Sequence, residues 1–380
     1  MRTQWANPSS IHRAGQDARH AVELARASVA ALIGAKPKSI TFCSGGTEAI
    51  DLAIRGVLST PSGPHQAQTP PRVVTTRVEH AAVRDLLENL EKQGAVTLDY
   101  LDIDSWGRIE PPSIERAITD GTRLVSVQWA NNETGTVQNI DAIAARCRAV
   151  GAVFHCDGTQ WVGKNETDVG EAAGAPSACD LLTFSAHKWH GPKGVGVLWA
   201  RPGVRIAPRI YGTQERQRRG GTENVEGIIG AGAAARLAME WLADPAVREA
   251  GRDLCERFSI RVFSGLRDLE LRFNSPASIS PAPFGLRLWN TANIAFPRLE
   301  AEALLMAFSE RGLCASAGAA CSSGSLDPSP VLLAMGVPPE YAHGSIRFSL
   351  SRYTTADEIE QAATIVIESA RKVGRSMTGV

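Results

Sequence analysis

An excess of charge of either sign is missing from this sequence. Lysine plus arginine and aspartate plus glutamate number 40 each, for a formal net charge of zero. That balance gives no electrostatic reason to expect a nucleic-acid or membrane partner. A local basic stretch such as Arg216, Arg218 and Arg219 reads as solvated or intersubunit surface. Long apolar runs are also lacking, so no segment is expected to span a bilayer. Nothing before Pro8 has the apolar character of a signal peptide, and a cytoplasmic location is expected. Paired cysteines are absent too. The seven, at 43, 147, 156, 179, 255, 314 and 321, are odd in number, scattered and without a CxxC. This argues against a disulfide framework and leaves a zinc knuckle unsupported. Most are expected to be buried thiols, with at least one open to chemical use. No internal repeat is evident.

What is present is an alternation of β-branched apolar runs with helical patterns. The chain is long enough for a large core and two or three domains. An amphipathic helix is expected over Ser9–Ala35, capped by Ser9 or Ser10. Strands are expected at Ser39–Cys43, Arg72–Thr76, Val96–Leu101, Leu124–Trp129, Ala152–Cys156, Leu181–Phe184 and Val195–Trp199. Helices are expected at Glu48–Leu58, Ala81–Lys92, Ser113–Ile118, Ile140–Val150 and Val225–Leu242. Such alternation predicts an α/β fold, a mostly parallel seven-stranded sheet covered on both faces. Beyond it the order loosens: a strand at Ala292–Phe296, a helix at Glu300–Arg311, a strand at Ile346–Leu350 and a helix at Thr355–Arg371. This predicts a smaller α+β domain. The expected division is 9–240 and 241–380, with Ser275–Phe284 a Pro- and Ser-rich loop.

Ligands of open α/β sheets sit at the carboxyl ends of strands, where three features fall. Ser44-Gly45-Gly46-Thr47-Glu48 leads from a strand into a helix, whose free N–H groups suit a phosphate. It also reads as a plain Gly-rich turn. Asp157 follows a strand, where a carboxylate can keep a heterocyclic nitrogen protonated or simply form a turn. Lys188 follows another strand, beside Ser185, His187 and His190, and reads as an imine-forming lysine or an exposed loop residue. Taken in order, cradle, anion and lysine are what a pyridoxal 5'-phosphate site needs.

At this point the sequence resembles the cysteine desulfurases, members of the class-V aminotransferase family with the aspartate-aminotransferase-like fold (fold type I). The motifs are Asn7-Pro8-Ser9-Ser10-Ile11-His12, Ser44-Gly45-Gly46-Thr47-Glu48-Ala49, Glu79-His80-Ala81-Ala82-Val83 and Asn131-Asn132-Glu133-Thr134-Gly135. They continue with His155-Cys156-Asp157-Gly158-Thr159-Gln160, Ser185-Ala186-His187-Lys188 and Gly220-Gly221-Thr222-Glu223-Asn224. The last are Ser316-Ala317-Gly318-Ala319-Ala320-Cys321-Ser322-Ser323-Gly324 and Ile346-Arg347-Phe348-Ser349-Leu350. The nine occur in family order along nearly the whole chain.

The resemblance implies that Lys188 holds the cofactor and moves protons. Asp157 would pair with the pyridine nitrogen, Gln160 bond the ring oxygen and His80 stack on the ring. Gly46, Thr47, Ser185 and His187 would hold the phosphate, and Thr222 would reach the phosphate of a second subunit, making a homodimer with shared sites. Asn132 and Arg347 would bind the carboxylate of L-cysteine, for which a planar guanidinium is suited. Cys321 lies in Ala315–Ser325, built only of Ala, Gly, Ser and Cys. It would take the sulfur as a persulfide while L-alanine leaves.

The run Cys321-Ser322-Ser323-Gly324-Ser325-Leu326 resembles the branch that serves iron–sulfur cluster assembly, nitrogenase included, with an iron–sulfur scaffold as acceptor. Transfer RNA thiolation would carry the same motifs. Alternatives are a selenocysteine lyase or aminotransferase of the same fold, or an inactive scaffold relative. Two departures from the family stand out. Relatives begin with a strand and an Asp-x-x-Ala-Thr-Thr-Pro segment that walls the site, whereas here Asn-Pro-Ser-Ser starts at residue 7. Relatives also often carry Gly-Gly-Gly-Gln-Glu where this chain has Ile210-Tyr211-Gly212-Thr213-Gln214-Glu215.

Overall fold

The computed structural model describes residues 5–61, 70–170, 178–276, 286–318 and 327–378, with 376–378 given by backbone only. Its chain divides into two compact units. The first comprises 1–102, 110–129 and 139–244, and the second 103–109, 130–138 and 245–380.

The first unit holds a seven-stranded sheet. Its strands are β1 (Ile40–Cys43), β2 (Arg72–Thr75), β3 (Thr97–Tyr100), β4 (Thr122–Gln128), β5 (Val153–Asp157), β6 (Leu181–Ser185) and β7 (Gly196–Ala200). The spatial order is β1-β7-β6-β5-β4-β2-β3. Only β7 runs against its neighbours β1 and β6; every other pairing is parallel. The central strands are buried nearly end to end, as strands covered on both faces are. One apolar cluster joins Ile50, Ile54 and Val57 of helix Gly46–Leu58 to Val83 and Leu87 of helix Ala81–Lys92, over Val73, Leu124 and Leu181 of the sheet. Helices Arg13–Ala31 and Val225–Leu242 cross closely. A side chain on Gly232 would come within 2.6 Å of the Ala25 backbone, so glycine is what lets them meet.

The first helix starts later than its sequence predicts. His12 is the cap, its Nδ1 accepting the Gly15 N–H, and Ser9 and Ser10 belong to a turn. The backbone oxygens of Asn7 and Ser10 lie against Gly15, where a side chain would stand 2.5 Å from the Ser10 oxygen. The folded-back turn therefore excludes helix there.

The second unit contains a four-stranded antiparallel sheet of β8 (Arg272–Phe273), β9 (Thr291–Ala295), β10 (Ser316–Ala317) and β11 (Ser345–Ser349), in the order β10-β11-β9-β8. Helices Pro245–Gly265, Ala301–Ser309 and Ala356–Thr378 accompany it. The first of these is absent from the sequence expectations. Its buried residues form a thin stripe, Gly251, Cys255, Phe258 and Val262, in an otherwise polar stretch. Most of the expected loop Ser275–Phe284, and Cys321 itself, lie outside the described residues.

Candidate active site

Four strand ends of the first unit build the candidate site. Asp157 and Ser185 are the last residues of β5 and β6, not the first residues after them. The ladders continue through both: Asp157 pairs with Thr183, and Ser185 with Gly196. Helix Gly46–Leu58 likewise begins two residues before the expected start. Gly46 and Thr47 thus occupy its first turn, where N–H groups lack helical partners. A side chain on Gly46 would lie 3.5 Å from both Ser185 Cβ and Thr159 Oγ1. The helix start, the end of β6 and the turn after β5 therefore converge on one cradle. Ser185 Oγ and His187 Nδ1 share a 2.9 Å hydrogen bond beside it. Thr159 Oγ1 is buried there without a hydrogen-bond partner among the described residues, a donor of the kind a phosphate oxygen satisfies.

Asp157 is buried, and its Oδ1 accepts the Thr159 N–H at 2.9 Å. Burial pushes its pKa above the ordinary carboxylate value; the Thr159 hydrogen bond and the charges of His80 and Lys188 oppose that. A protonated ring nitrogen would supply the missing counter-charge. His80 caps helix Ala81–Lys92, its Nδ1 accepting the Ala82 N–H at 3.1 Å, which leaves the proton of the neutral ring on Nε2. Burial lowers the imidazole pKa; the Asp157 carboxylate opposes this and the Lys188 ammonium adds to it. Lys188 is half-buried in the short turn Ala186–Trp189 that follows β6. Asp157, His80 and Lys188 thus lie close enough to act on one another's ionisation. Gln160 Oε1 accepts from Lys164 Nζ at 2.6 Å, so its amide nitrogen is the donor left for a ring oxygen. The donor set suits pyridoxal phosphate: an anion cradle with an unpaired hydroxyl, a buried carboxylate, an imidazole and a lysine.

Two further groups stand out only in the structure. Glu79 is fully enclosed, accepts from Thr76 Oγ1 at 2.7 Å and from the Gln128 N–H at 2.9 Å, and burial pushes its pKa up to about 8. His155 bridges Ser126 and Thr183 at 2.8 and 2.9 Å, and burial drives its pKa down to about 3. Both residues belong to quoted motifs, and that was their only signal.

The segment leading to Thr222 is fastened to the same unit. Glu215, Arg216 and Gln217 all have left-handed backbones, with φ of 46°, 57° and 63°. Glu215 forms a buried two-pronged pair with Arg26, 2.7 Å on each prong, and also accepts the Phe42 N–H at 2.8 Å. Arg219 pairs with Glu48 in the first turn of helix Gly46–Leu58 at 2.8 Å. Of the basic stretch, Arg216 pairs with Glu23 and Arg218 reaches Thr41. Thr222 is exposed.

Asn132 and Arg347 fall in the second unit and are in contact there: Arg347 Nη1 donates to the Asn132 backbone oxygen at 2.7 Å. The Asn132 side-chain oxygen is buried without a partner among the described residues. Of the described cysteines, 43, 147, 156, 179 and 255 are buried and Cys314 is exposed.

The sequence matches the aminotransferase class-V family over residues 2–362. It is 43% identical over 374 residues to "Cysteine desulfurase 2" of Trichormus variabilis, covering 97% of this chain and 88% of that protein. It is 39% identical over 380 residues to "Cysteine desulfurase IscS" of Dictyoglomus turgidum, covering 98% and 90%. Among solved structures, a NifS-like protein superposes with a TM-score of 0.83 at 32% identity, covering 97% of this chain and 92% of that one. The structure titled "SspA in complex with cysteine" superposes at 0.74 and 29% identity, covering 93% and 92%. The match spans nearly the whole sequence and agrees with the sheet and the strand-end site: the chain belongs to the class-V aminotransferase family.

Proposed function

We propose that the protein is a pyridoxal-phosphate-dependent cysteine desulfurase that converts L-cysteine to L-alanine and leaves the sulfur as a persulfide on Cys321. The observation that carries the cofactor reading is the buried Asp157 carboxylate, set among Lys188, His80 and the Gly46–Ser185–Thr159 cradle. The names of the relatives support the substrate.

Lys188 would hold the cofactor through Nζ, Asp157 would pair with its ring nitrogen and Gln160 Nε2 would bond its ring oxygen. His80 would stack on the ring, and Gly46, Thr47, Ser185 and His187 would take the phosphate. Bound there, pyridoxal phosphate serves as a sink for the electrons released at the substrate α-carbon. Asn132 and Arg347 take the substrate carboxylate, and Lys188 Nζ removes and returns protons. The Cys321 thiolate attacks the substrate sulfur, because the thiolate is the nucleophilic form. The S–S bond forms as the Cβ–S bond breaks. The substrate carbon is reduced by two electrons, its proton is supplied within the site, and the sulfur pair is oxidised to the persulfide. The protein acts in the cytoplasm as a homodimer, with Thr222 completing the partner's phosphate site. It passes sulfur to an acceptor such as an iron–sulfur scaffold.

Purified protein given L-cysteine should release alanine and gain one sulfur atom on the peptide containing Cys321, read by mass spectrometry. Borohydride should fix the cofactor to the peptide containing Lys188. Cys321→Ser should keep the bound cofactor's absorbance and lose the persulfide, since a serine hydroxyl is a far weaker nucleophile at neutral pH. Turnover in Cys321→Ser, or a keto-acid product in place of alanine, would overturn the reading.

A further inference from the structure

Turn Asn131–Gly135 does more than present Asn132. Its next residue, Glu133, is buried and faces Gly318, the last described residue before the stretch holding Cys321. A side chain on Gly318 would push Glu133 Oε2 from its place, so the carboxylate sits where it does because this residue is glycine. The same Oε2 accepts a 2.6 Å hydrogen bond from Ser329 Oγ, on the far side of that stretch. Ser329 is itself fixed as the cap of helix Pro330–Ala334, its Oγ accepting the Leu332 N–H. One carboxylate therefore stands against both flanks of residues 319–328.

The backbone that carries this carboxylate is held as well. Asn131 Oδ1 accepts the Glu133 N–H at 2.8 Å, and the Glu133 carbonyl accepts from Asn293 Nδ2 of β9 at 3.2 Å. The preceding residue, Asn132, receives Arg347 of β11, and β11 pairs with β10, where Ser316 lies opposite Arg347. One five-residue turn thus joins the candidate carboxylate site to the two ends of the cysteine-bearing stretch.

We infer that Glu133 is a positioning residue for sulfur transfer, clasping Gly318 and Ser329 so that the stretch between them starts and ends at fixed points beside the substrate-carboxylate residues. This inference rests on Cys321 being the sulfur-accepting thiol. Positioning of a reacting group is worth a great deal: small misplacements cost on the order of a hundredfold in rate. A clasp that only fixes the nucleophile's tether should affect sulfur transfer and leave proton transfer at the substrate α-carbon alone.

The test uses the full chain loaded with cofactor, in two measurements. Exchange of the α-proton of L-alanine with deuterium, followed by NMR, reads the steps that do not involve a thiol. Single-turnover persulfide formation, read by mass spectrometry, reads sulfur transfer. Glu133→Ala should keep exchange within about twofold and slow persulfide formation on the order of 10–100-fold. Glu133→Gln, which keeps an acceptor for Ser329, should recover much of the loss. Ser329→Ala removes the bond together with the cap on Leu332 and should slow transfer in the same direction, which covers the case in which Glu133→Ala does not fold. Persulfide formation within twofold of the parent in both alanine variants would overturn the inference. So would exchange falling in step with transfer, which marks Glu133 as a support of the whole substrate site. Sulfur transfer persisting in Cys321→Ser would instead remove the nucleophile assignment, and this inference with it.

Discussion

Replacing Glu215 by alanine probes the most heavily constrained feature of the first unit. In the native chain its carboxylate accepts three hydrogen bonds: two from Arg26 and one from the Phe42 N–H of β1. Both side chains are almost fully enclosed, with 3% and 2% exposure. Burial works against the charged guanidinium, yet the Glu215 and Glu23 carboxylates together outweigh it and hold the Arg26 pKa above the ordinary arginine value. Removing one partner of such a pair leaves the other charge buried, at a cost of about 3–5 kcal/mol. Arg26 keeps bonds to Glu23 and the Ile40 carbonyl, which places the loss toward the lower end. A contribution of opposite sign comes from the three consecutive left-handed residues at 215–217, which cost about 1–2 kcal/mol each for residues with a Cβ. Part of that strain is released if the segment relaxes. The expected net is about 2 kcal/mol, or roughly 4–8 °C in Tm for a unit of this size. A thermal melt followed by near-UV circular dichroism measures it. The double variant Arg26→Met/Glu215→Met should be less damaged than Glu215→Ala, because no charge is left behind. A Glu215→Ala loss under 1 kcal/mol, or a double variant as damaged as the sum of the two single ones, would refute the reasoning.

Thr222→Ala should leave sedimentation unchanged and raise the dissociation constant of the cofactor by about 10–150-fold, since a lost hydrogen bond to a charged group is worth about 1.5–3 kcal/mol. Stability should slope with pH in two opposed ways. The folded state holds the Glu79 proton up to about pH 8 against an ordinary 4.5, so stability falls as pH rises through that window, and Glu79→Gln should flatten the fall between 6.5 and 8. The folded state refuses the His155 proton down to about pH 3 against an ordinary 6.5, so stability falls as pH drops, by up to about 1.4 kcal/mol per pH unit, and His155→Gln should remove that slope. Denaturant titrations from pH 3.5 to 8.5 read both.

The sheet was legible because its strands are β-branched apolar runs, a signal that survives without tertiary context. Strand ends were less so. Asp157 and Ser185 look like turn residues, yet each still sits in a ladder, because the neighbouring strands Leu181–Ser185 and Gly196–Ala200 extend far enough to pair with them. Helix Pro245–Gly265 was missed for a physical reason too. Gly251 lies against Trp289, where a side chain would come within 2.6 Å of the indole, so one of the four buried positions is a glycine that adds nothing to the apolar pattern. The candidate cofactor residues were named from motif order alone. Arg26 with Glu215, and Glu133 with Ser329, are 189 and 196 residues apart, and no local pattern joins them.

The thiols show how sequence and structure divide the work. A sulfur nucleophile has to ionise near neutral pH. Burial pushes Cys147 up to about 12 and Cys255 to about 11, and it lifts Cys43, Cys156 and Cys179 well above the ordinary thiol value. All five are buried thiols, in surroundings that disfavour the thiolate. Cys314 is exposed, but it lines a pocket with Phe258, Phe348, Leu350 and Ile359 of the second unit, on the near side of β10. Strand β10 is paired with β11 at Ser316 and Ala317, and Gly318 is pressed on Glu133, so the chain is fixed directly after Cys314. Cys321 lies past that fixed point, in the Gly- and Ser-rich run that only the sequence distinguishes. Burial sets five thiols apart and tethering sets Cys314 apart, while the motif is what points to Cys321.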